Sequence, residues 1–258
     1  MTGTFTRLTA VAWLSLRGSL RGARLIGLAA FALVPSLIVL AVASSHPTAD
    51  NLSNAAEGLF ALLTLPIVTM VIVLVLCVAQ FRNEIDNETL LYLSDRSVTR
   101  PTVVVGKYLG SLAAALALVI PATLLPLVLA VAGGGTSYSA AVPLTLAAAA
   151  ILGAAAYSAF FLFLGLVSRS ALLIGLLYGF LWEELVVLLP GSAPQLTLVY
   201  YLRDFMSSEL TTGPLSGFTS PLPAASSVAV LLGVAIFFVC LSSAVFRYLE
   251  TAPERESA

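Results

Sequence analysis

The chain has 258 residues, of which only 10% are charged, with 12 Lys+Arg, 13 Asp+Glu and a formal net charge of −1. An average soluble domain carries about 25% charged residues, whereas hydrophobic residues make up 59% of this chain. This composition excludes a soluble globular protein, which would lack a polar surface, and a disordered chain, which needs low hydrophobicity and high net charge. The two cysteines lie in apolar runs, which argues against a disulfide framework. We therefore expect an all-α integral membrane protein.

Six apolar stretches are long enough for transmembrane helices, because about 20 apolar residues cross a hydrocarbon core of about 30 Å. They cover residues 25–43, 58–80, 108–132, 141–167, 171–189 and 225–246. The connections are too short to fold separately, so residues 1–258 are predicted to be a single transmembrane domain. The first stretch follows a basic head and exceeds the length of a signal-peptide core, which favours a retained span over a cleaved signal.

Positive residues lie almost entirely on one side of the predicted spans. The head, the second and fourth connections and the tail hold 11 Lys and Arg residues, whereas the fifth connection holds only Arg203. Because Lys and Arg accumulate in cytoplasmic segments, both termini are predicted to be cytoplasmic. The alanine-rich composition and the lack of a targeting signal favour a multi-pass protein of a prokaryotic plasma membrane.

The head, residues 5–24, has an amphipathic pattern. On a helical wheel four arginines share one arc: Arg7, Arg17, Arg21 and Arg24. Apolar residues that include Trp13 cover the opposite side. A basic amphipathic helix of this kind lies in the membrane interface, which predicts an N-terminal elbow helix. The alternative is a basic head that only sets orientation, because Gly18 and Gly22 lower helix propensity.

The second connection, Phe81 to Lys107, holds eight charges, four of each sign, which does not fit a polybasic lipid-binding patch. Residues 87–93 are typical of a short helix with acidic residues near its first turn, where they complement the helix dipole. A two-turn helix cannot bury its leucines alone. The pattern leaves two alternatives open: the leucines dock on a partner protein, or they pack against the cytoplasmic ends of the bundle.

Three pieces of this connection resemble the cytoplasmic loop of ABC-2 type exporter permeases. They are Glu84-Ile85-Asp86-Asn87-Glu88-Thr89-Leu90, Asp95-Arg96-Ser97-Val98-Thr99-Arg100 and Val105-Gly106-Lys107-Tyr108-Leu109-Gly110. Glu88 stands where that family usually has Gly, and Ser97 stands where it usually has Pro. The six-span pattern, the basic amphipathic head and the long fifth connection also match the family, so that the resemblance covers nearly the whole chain.

The resemblance implies a coupling helix between the second and third spans, which docks in a groove of a separate ATP-binding subunit. The docking residues that it implies are Glu84, Asp86, Glu88, Thr89, Leu90, Leu91, Leu93, Arg96 and Arg100. It further implies a dimer with a second copy or a related permease. ATP and Mg would be bound by the partner ATPase and no cofactor by this chain. The sequence agrees in lacking the Gly-x-x-x-x-Gly-Lys-Ser/Thr phosphate loop, so the ATPase motor must be another polypeptide.

Two acids, Glu183 and Glu184, follow Trp182 inside the fifth apolar run. An ionised side chain near the centre of a spanning helix costs about 2.5–3.5 kcal/mol on insertion scales. Three interpretations stay open: the helix ends early and the acids cap the outer loop, one acid is a buried structural group, or the pair lines the translocation path or outer gate. Residues 196–206 are predicted to form an interfacial outer helix, which the resemblance makes a lid over the exit.

Two other function classes, an ion-coupled transporter or channel and an intramembrane protease, could use the same acidic residues. An ion-coupled secondary transporter or channel would titrate Glu183 or Glu184, although other intramembrane charges for a relay are missing. A glutamate-type intramembrane protease needs Arg at position 188, which is Leu, and histidines other than His46. The sequence therefore predicts the permease subunit of an ATP-driven exporter, which is not itself an enzyme, binds no metal and has the lipid bilayer but no nucleic acid as a partner. Its substrate cannot be inferred from the residues.

Overall fold

The computed structural model describes residues 2–20, 22–86, 100–186, 189, 192–207 and 223–251, and no strand occurs among them. The first half contains α1 (Thr2–Ser19), α2 (Ala23–Ala32), α3 (Val34–Ala43), α4 (Ala49–Leu59) and α5 (Met70–Asp86). The second half contains α6 (Arg100–Ala132), α7 (Ala141–Val167), α8 (Ala171–Leu177), α9 (Leu198–Ser207) and α10 (Ala224–Thr251). Two π-helical segments occur, Phe60–Thr69 between α4 and α5, and Tyr178–Glu183 after α8. The chain is an all-α protein in these residues.

Five helical segments of the described residues are long and apolar enough to cross a membrane. They are Ala23–Ala43, Ala49–Phe81, Pro101–Ala132, Ala141–Val167 and Ala224–Phe246. Five of the six predicted spans are confirmed as long apolar helices. The second and third are longer than predicted, because the helix continues through the more polar residues at 49–57 and 101–107 that flank each apolar run.

The fifth predicted span, residues 171–189, is not confirmed at full length. α8, the π-helical segment and the short α-helix Glu184–Val186 form sixteen helical residues, which rise at most about 24 Å. This length is less than the hydrocarbon core of about 30 Å. Within this run the helix changes from α to π geometry at Tyr178 and returns to α geometry at Glu184.

The continuous helix that ends with α5 runs in the same direction as α7, because Leu65 lies near Gly153 and Val78 lies near Gly165, so that the bundle has two ends. At one end, a Cβ on Gly165 of α7 would lie 3.0 Å from the Val78 Cα of α5. We call it the basic end, because Arg24 and Arg169 line one cleft there. At the opposite end, Tyr138 donates a 3.0 Å hydrogen bond from its hydroxyl to the Ser53 carbonyl of α4. Burial raises the pKa of the Tyr138 phenol, and the nearby charge of Glu57 adds to the increase.

The centre of the bundle is α5 packed against α7, whose small residues are buried. They include Ala149, Ala150, Gly153, Ala154 and Ala156. Small residues let helix backbones approach closely, and van der Waals packing is the main attraction between helices in a membrane. The burial of this small-residue run therefore indicates a packing role, while α5 contributes larger side chains such as Leu74 and Leu76 to the same core.

The amphipathic helix α9 was predicted at residues 196–206 and is found at Leu198–Ser207. It buries one polar and several apolar side chains, including Leu202 and Asp204. A Cβ on Gly153 would lie 3.2 Å from Leu202 Cδ1. Because Gly153 lies twelve residues into α7, or about 18 Å along its axis, α9 reaches deep into the bundle rather than only covering its end.

α1 is helical as predicted, over Thr2–Ser19. Val11, Ala12, Leu16 and Leu20 on its apolar side are partly buried and Ser15 is buried, whereas Trp13 is 63% exposed. The helix packs along α6 through close contacts of Val11, Ala12 and Ser15, which are described below. Its location in the membrane interface stays a prediction.

Candidate functional site

The connection from Phe81 to Lys107 begins and ends at a polar network in the basic end. The Lys107 ammonium donates a 2.8 Å hydrogen bond to the Gln80 carbonyl and lies 4.3 Å from the centroid of the Phe81 ring. Lys107 is only 4% exposed. A buried charge must be compensated by hydrogen bonds or partner groups, and contact with an aromatic face adds about 0.5–2 kcal/mol. Lys107 therefore ties the last turns of the second span to the start of the third.

The Gln80 side chain extends this network to α1. Ser15 Oγ donates a 2.7 Å hydrogen bond to Gln80 Oε1, and Gln80 Nε2 donates to Ser19 Oγ. Ser15 and Ser19 are one helical turn apart, so both hydroxyls lie on the face of α1 that meets the bundle. We call Ser15, Ser19, Gln80, Phe81 and Lys107 the loop base, since they join α1, α5 and α6 where the connection leaves the bundle.

Two glycines allow α1 to lie directly on α6. A Cβ on Gly110 would lie 2.5 Å from the Ala12 carbonyl oxygen and 2.6 Å from Ser15 Cβ, and a Cβ on Gly106 would lie 2.7 Å from Val11 Cγ1. Approaches this short leave no room for a larger residue at Gly110 unless the α1 backbone moves. The glycines are four residues apart on one face of α6, which is the spacing of small residues in closely packed membrane helices.

The predicted docking residues lie mostly outside the described part of the chain. Glu84 and Asp86 belong to the last turns of α5 and Arg100 is the first residue of α6, but their side chains are outside it. The remaining residues of the predicted coupling helix are wholly outside it: Glu88, Thr89, Leu90, Leu91, Leu93 and Arg96. The coupling helix and its docking role therefore stay predictions.

The second predicted site, around Glu183, has a defined geometry. Glu183 is 2% exposed. Its carboxylate accepts hydrogen bonds from the Leu198 N–H at 3.2 Å and the Val199 N–H at 3.0 Å, and from the Tyr178 hydroxyl. These amides open α9, where N–H groups have no partner within the helix and a negative charge is favoured by the helix dipole. The carboxylate thus acts as a cap for α9 supplied by a distant segment.

Of the two residues beside Glu183, only Trp182 has a side chain within the described part of the chain. Trp182 is 44% exposed, and its indole N–H donates a 3.3 Å hydrogen bond to the Leu196 carbonyl. Glu184 begins the short helix Glu184–Val186, and its side chain is outside the described part of the chain. Of the three interpretations of the acid pair, the geometry of Glu183 matches the second, a buried structural acid. A role of Trp182, Glu183 or Glu184 in a translocation path or outer gate remains a prediction.

Sequence reasoning missed several polar residues that hold the helices together. Lys107 was counted as an orienting charge and as part of the motif at 105–110 but not as a buried contact, and Gln80 was taken as the end of an apolar run. Asp204 is 3% exposed and accepts a hydrogen bond from the Ser227 hydroxyl, which links α9 to α10. The spacing of Ser15 with Ser19 and of Gly106 with Gly110 was a usable signal, because both pairs repeat at four residues. Within the described residues, no group of three or more His, Cys, Asp or Glu side chains could hold a metal ion.

In comparisons with known proteins, no family model and no curated protein matches the chain.

Proposed function

We propose that this chain is the membrane-spanning permease subunit of an ATP-binding-cassette exporter, in which a separate ATPase subunit hydrolyses ATP. The proposal is carried by the sequence of the connection from residue 81 to residue 107, which combines a coupling-helix pattern with the absence of a phosphate loop in this chain. Five long apolar helices supply the membrane-embedded body that such a subunit needs. Both termini lie in the cytoplasm of a prokaryotic cell, and two permease chains enclose the path.

The loop base supports this proposal by giving the connection a firm attachment. Lys107 binds the Gln80 carbonyl, and the Gln80 side chain binds Ser15 and Ser19. A displacement of the coupling helix would therefore reach α1, α5 and α6 together rather than bending one helix end. ATP binding in the partner can shift the permease between two states only through contacts that differ between those states, and the loop base provides a direct connection from the docking loop to three helices.

The test is the recovery of the partner ATPase with affinity-purified full-length chain from its native membranes. We expect the wild-type chain to copurify with a subunit that contains a phosphate loop. Changing Leu90, Leu91 and Leu93 together to Asp should remove that subunit, because charged side chains cannot enter an apolar groove without a large desolvation cost. The matched control is Ala10→Asp, which adds a charge on the exposed face of α1 and should leave the recovery unchanged. Equal recovery with the triple variant would contradict the docking.

A second candidate, an ion-coupled transporter, is favoured by one observation, the buried carboxylate of Glu183. It predicts transport that is driven by an ion gradient without any ATPase and abolished by Glu183→Gln. Against it, the Glu183 carboxylate already accepts two backbone amides and a hydroxyl, which is the environment of a structural cap. The exporter subunit is therefore the better supported function.

A further inference from the structure

A cleft at the basic end combines an apolar wall with two arginines. The cleft has a volume of about 580 Å³ and lies between the start of α2, the middle of α5 and the first turns of α8. Its apolar wall comes from α5 and α8 and includes Val75, Val78, Leu172, Leu173 and Leu176. Arg24, in the first turn of α2, and Arg169, in the turn that joins α7 to α8, line the same cleft.

The two arginines are accessible to a ligand. Both side chains are exposed, and neither takes part in a hydrogen bond or an ion pair with the described residues. Arg24 also lines a smaller cavity of about 230 Å³, whose walls include the polar residues Ser19, Gln80 and Lys107. The surroundings of Arg24 therefore change from apolar, along α8, to polar and positively charged, beside the loop base.

This combination of groups selects the chemical class of the ligand. A guanidinium binds a phosphate through two parallel hydrogen bonds, and two arginines compensate the charge of a phosphodiester. A small soluble anion would gain nothing from the leucine wall, and a zwitterionic lipid such as phosphatidylcholine would bring a quaternary ammonium that the two arginines repel, whereas an anionic lipid brings the phosphate charge alone. Basic pockets between transmembrane helices on the cytoplasmic side bind anionic lipid headgroups, and 11 of the 12 Lys and Arg residues mark this end as the cytoplasmic one.

We propose that this cleft binds an anionic glycerophospholipid, with its phosphate between Arg24 and Arg169 and an acyl chain along Leu172, Leu173 and Leu176. The bound lipid bridges α2 and the turn before α8, two segments that belong to different parts of the bundle. A ligand that binds only the folded state stabilises it, so that the lipid stabilises the packing of α2 and α8 against α5. The site does not depend on the exporter function or on an ATPase partner.

The experiment measures lipid binding to the purified full-length chain by native mass spectrometry, with phosphatidylglycerol and phosphatidylcholine offered at equal concentration. We expect the wild-type chain to retain phosphatidylglycerol in preference to phosphatidylcholine. Each arginine near an anionic lipid contributes about a fivefold gain in affinity, so Arg24→Ala with Arg169→Ala should lower the affinity for phosphatidylglycerol about 25-fold. Ser170→Glu, which adds an acid to the cleft without removing an arginine, should lower it as well.

The matched control is Arg17→Ala, which removes an exposed arginine of α1 that does not line the cleft. It should retain phosphatidylglycerol like the wild type, and all variants should give the wild-type helical content by circular dichroism. An equal loss in Arg17→Ala would contradict the proposal, because binding would then reflect only the total positive charge. Equal retention of the two lipids by the wild-type chain would contradict it too.

Two further arms separate the lipid from other occupants. Glycerophosphoglycerol, the headgroup without acyl chains, should not displace phosphatidylglycerol at equal concentration, and complete displacement would indicate a soluble-anion site and overturn the proposal. Leu173→Cys in a Cys240→Ser background tests whether a second copy of the chain covers the cleft, because the remaining cysteine, Cys77, is buried. If disulfide-linked dimers form through residue 173 to the same extent with and without excess phosphatidylglycerol, another chain covers the cleft and the lipid proposal is overturned.

Discussion

Glu183→Ala removes the carboxylate that caps α9. The Leu198 and Val199 amides then lose their acceptor in a buried position, and the Tyr178 hydroxyl loses its acceptor as well. Hydrogen bonds to a charged group contribute about 1.5–3 kcal/mol each, and the loss of a helix cap costs about 0.5–2 kcal/mol. Because these terms are not additive, we expect the free energy of opening α9 to fall by about 3 kcal/mol. Glu183→Gln keeps one acceptor oxygen and should cost about half as much.

Hydrogen exchange of the segment 198–207, measured by mass spectrometry on the purified chain, gives this opening free energy directly. A loss of about 3 kcal/mol corresponds to exchange that is about a hundredfold faster. Asp50→Ala is the control, because Asp50 is an exposed acid in the first turn of α4 and should leave the exchange of α9 unchanged. Wild-type exchange rates in Glu183→Ala, or an equal acceleration in Asp50→Ala, would refute the capping role.

Two further predictions concern the contacts between helices. Gly110→Ala places a Cβ 2.5 Å from the Ala12 carbonyl oxygen and should lower the free energy of thermal unfolding in detergent by about 1–3 kcal/mol. Gly27→Ala is the control, because its Cβ meets no atom within 4 Å, and equal effects of the two substitutions would contradict the close packing of α1 on α6. Asp204→Ala and Ser227→Ala, made singly and together, should give a coupling energy of about 1.5–3 kcal/mol in a double-mutant cycle of thermal unfolding. If the two changes in unfolding free energy simply add, that result would contradict the buried hydrogen bond between these side chains.

The sequence predicted the long helices well because their signal is local. A run of about 20 apolar residues identifies a spanning helix regardless of its neighbours, and the predicted stretch 141–167 has the same bounds as α7. The run 171–189 is confirmed as helix only over its first sixteen residues. The contacts of Glu183 within it could not be predicted, because its partners Leu198 and Val199 are distant in sequence and an apolar window contains no information on such a contact.

The packed face of α1 shows a second limit of sequence reasoning. The helical wheel identifies an apolar side that includes Trp13, but it does not show which residues of the helix contact protein: Ser15 is buried, whereas Trp13 is 63% exposed. What determines the contact is the fit of Ser15 against Gly110, together with the hydrogen bond to Gln80. Residues such as Ser15 and Gln80 lie 65 positions apart, and one sequence alone does not show that two such residues are in contact.

The proposed exporter function requires that the connection between the second and third spans docks on a separate ATPase. This docking can be measured by photo-cross-linking. Leu91→Cys is made in the Cys240→Ser background, the new cysteine is labelled with a photoactivatable group, and the label is activated in native membranes. We predict an adduct whose peptides come from a subunit with a phosphate loop, and a loss of this adduct when Leu90 and Leu93 are both changed to Asp. Adducts confined to lipid and to this chain itself would contradict the claim.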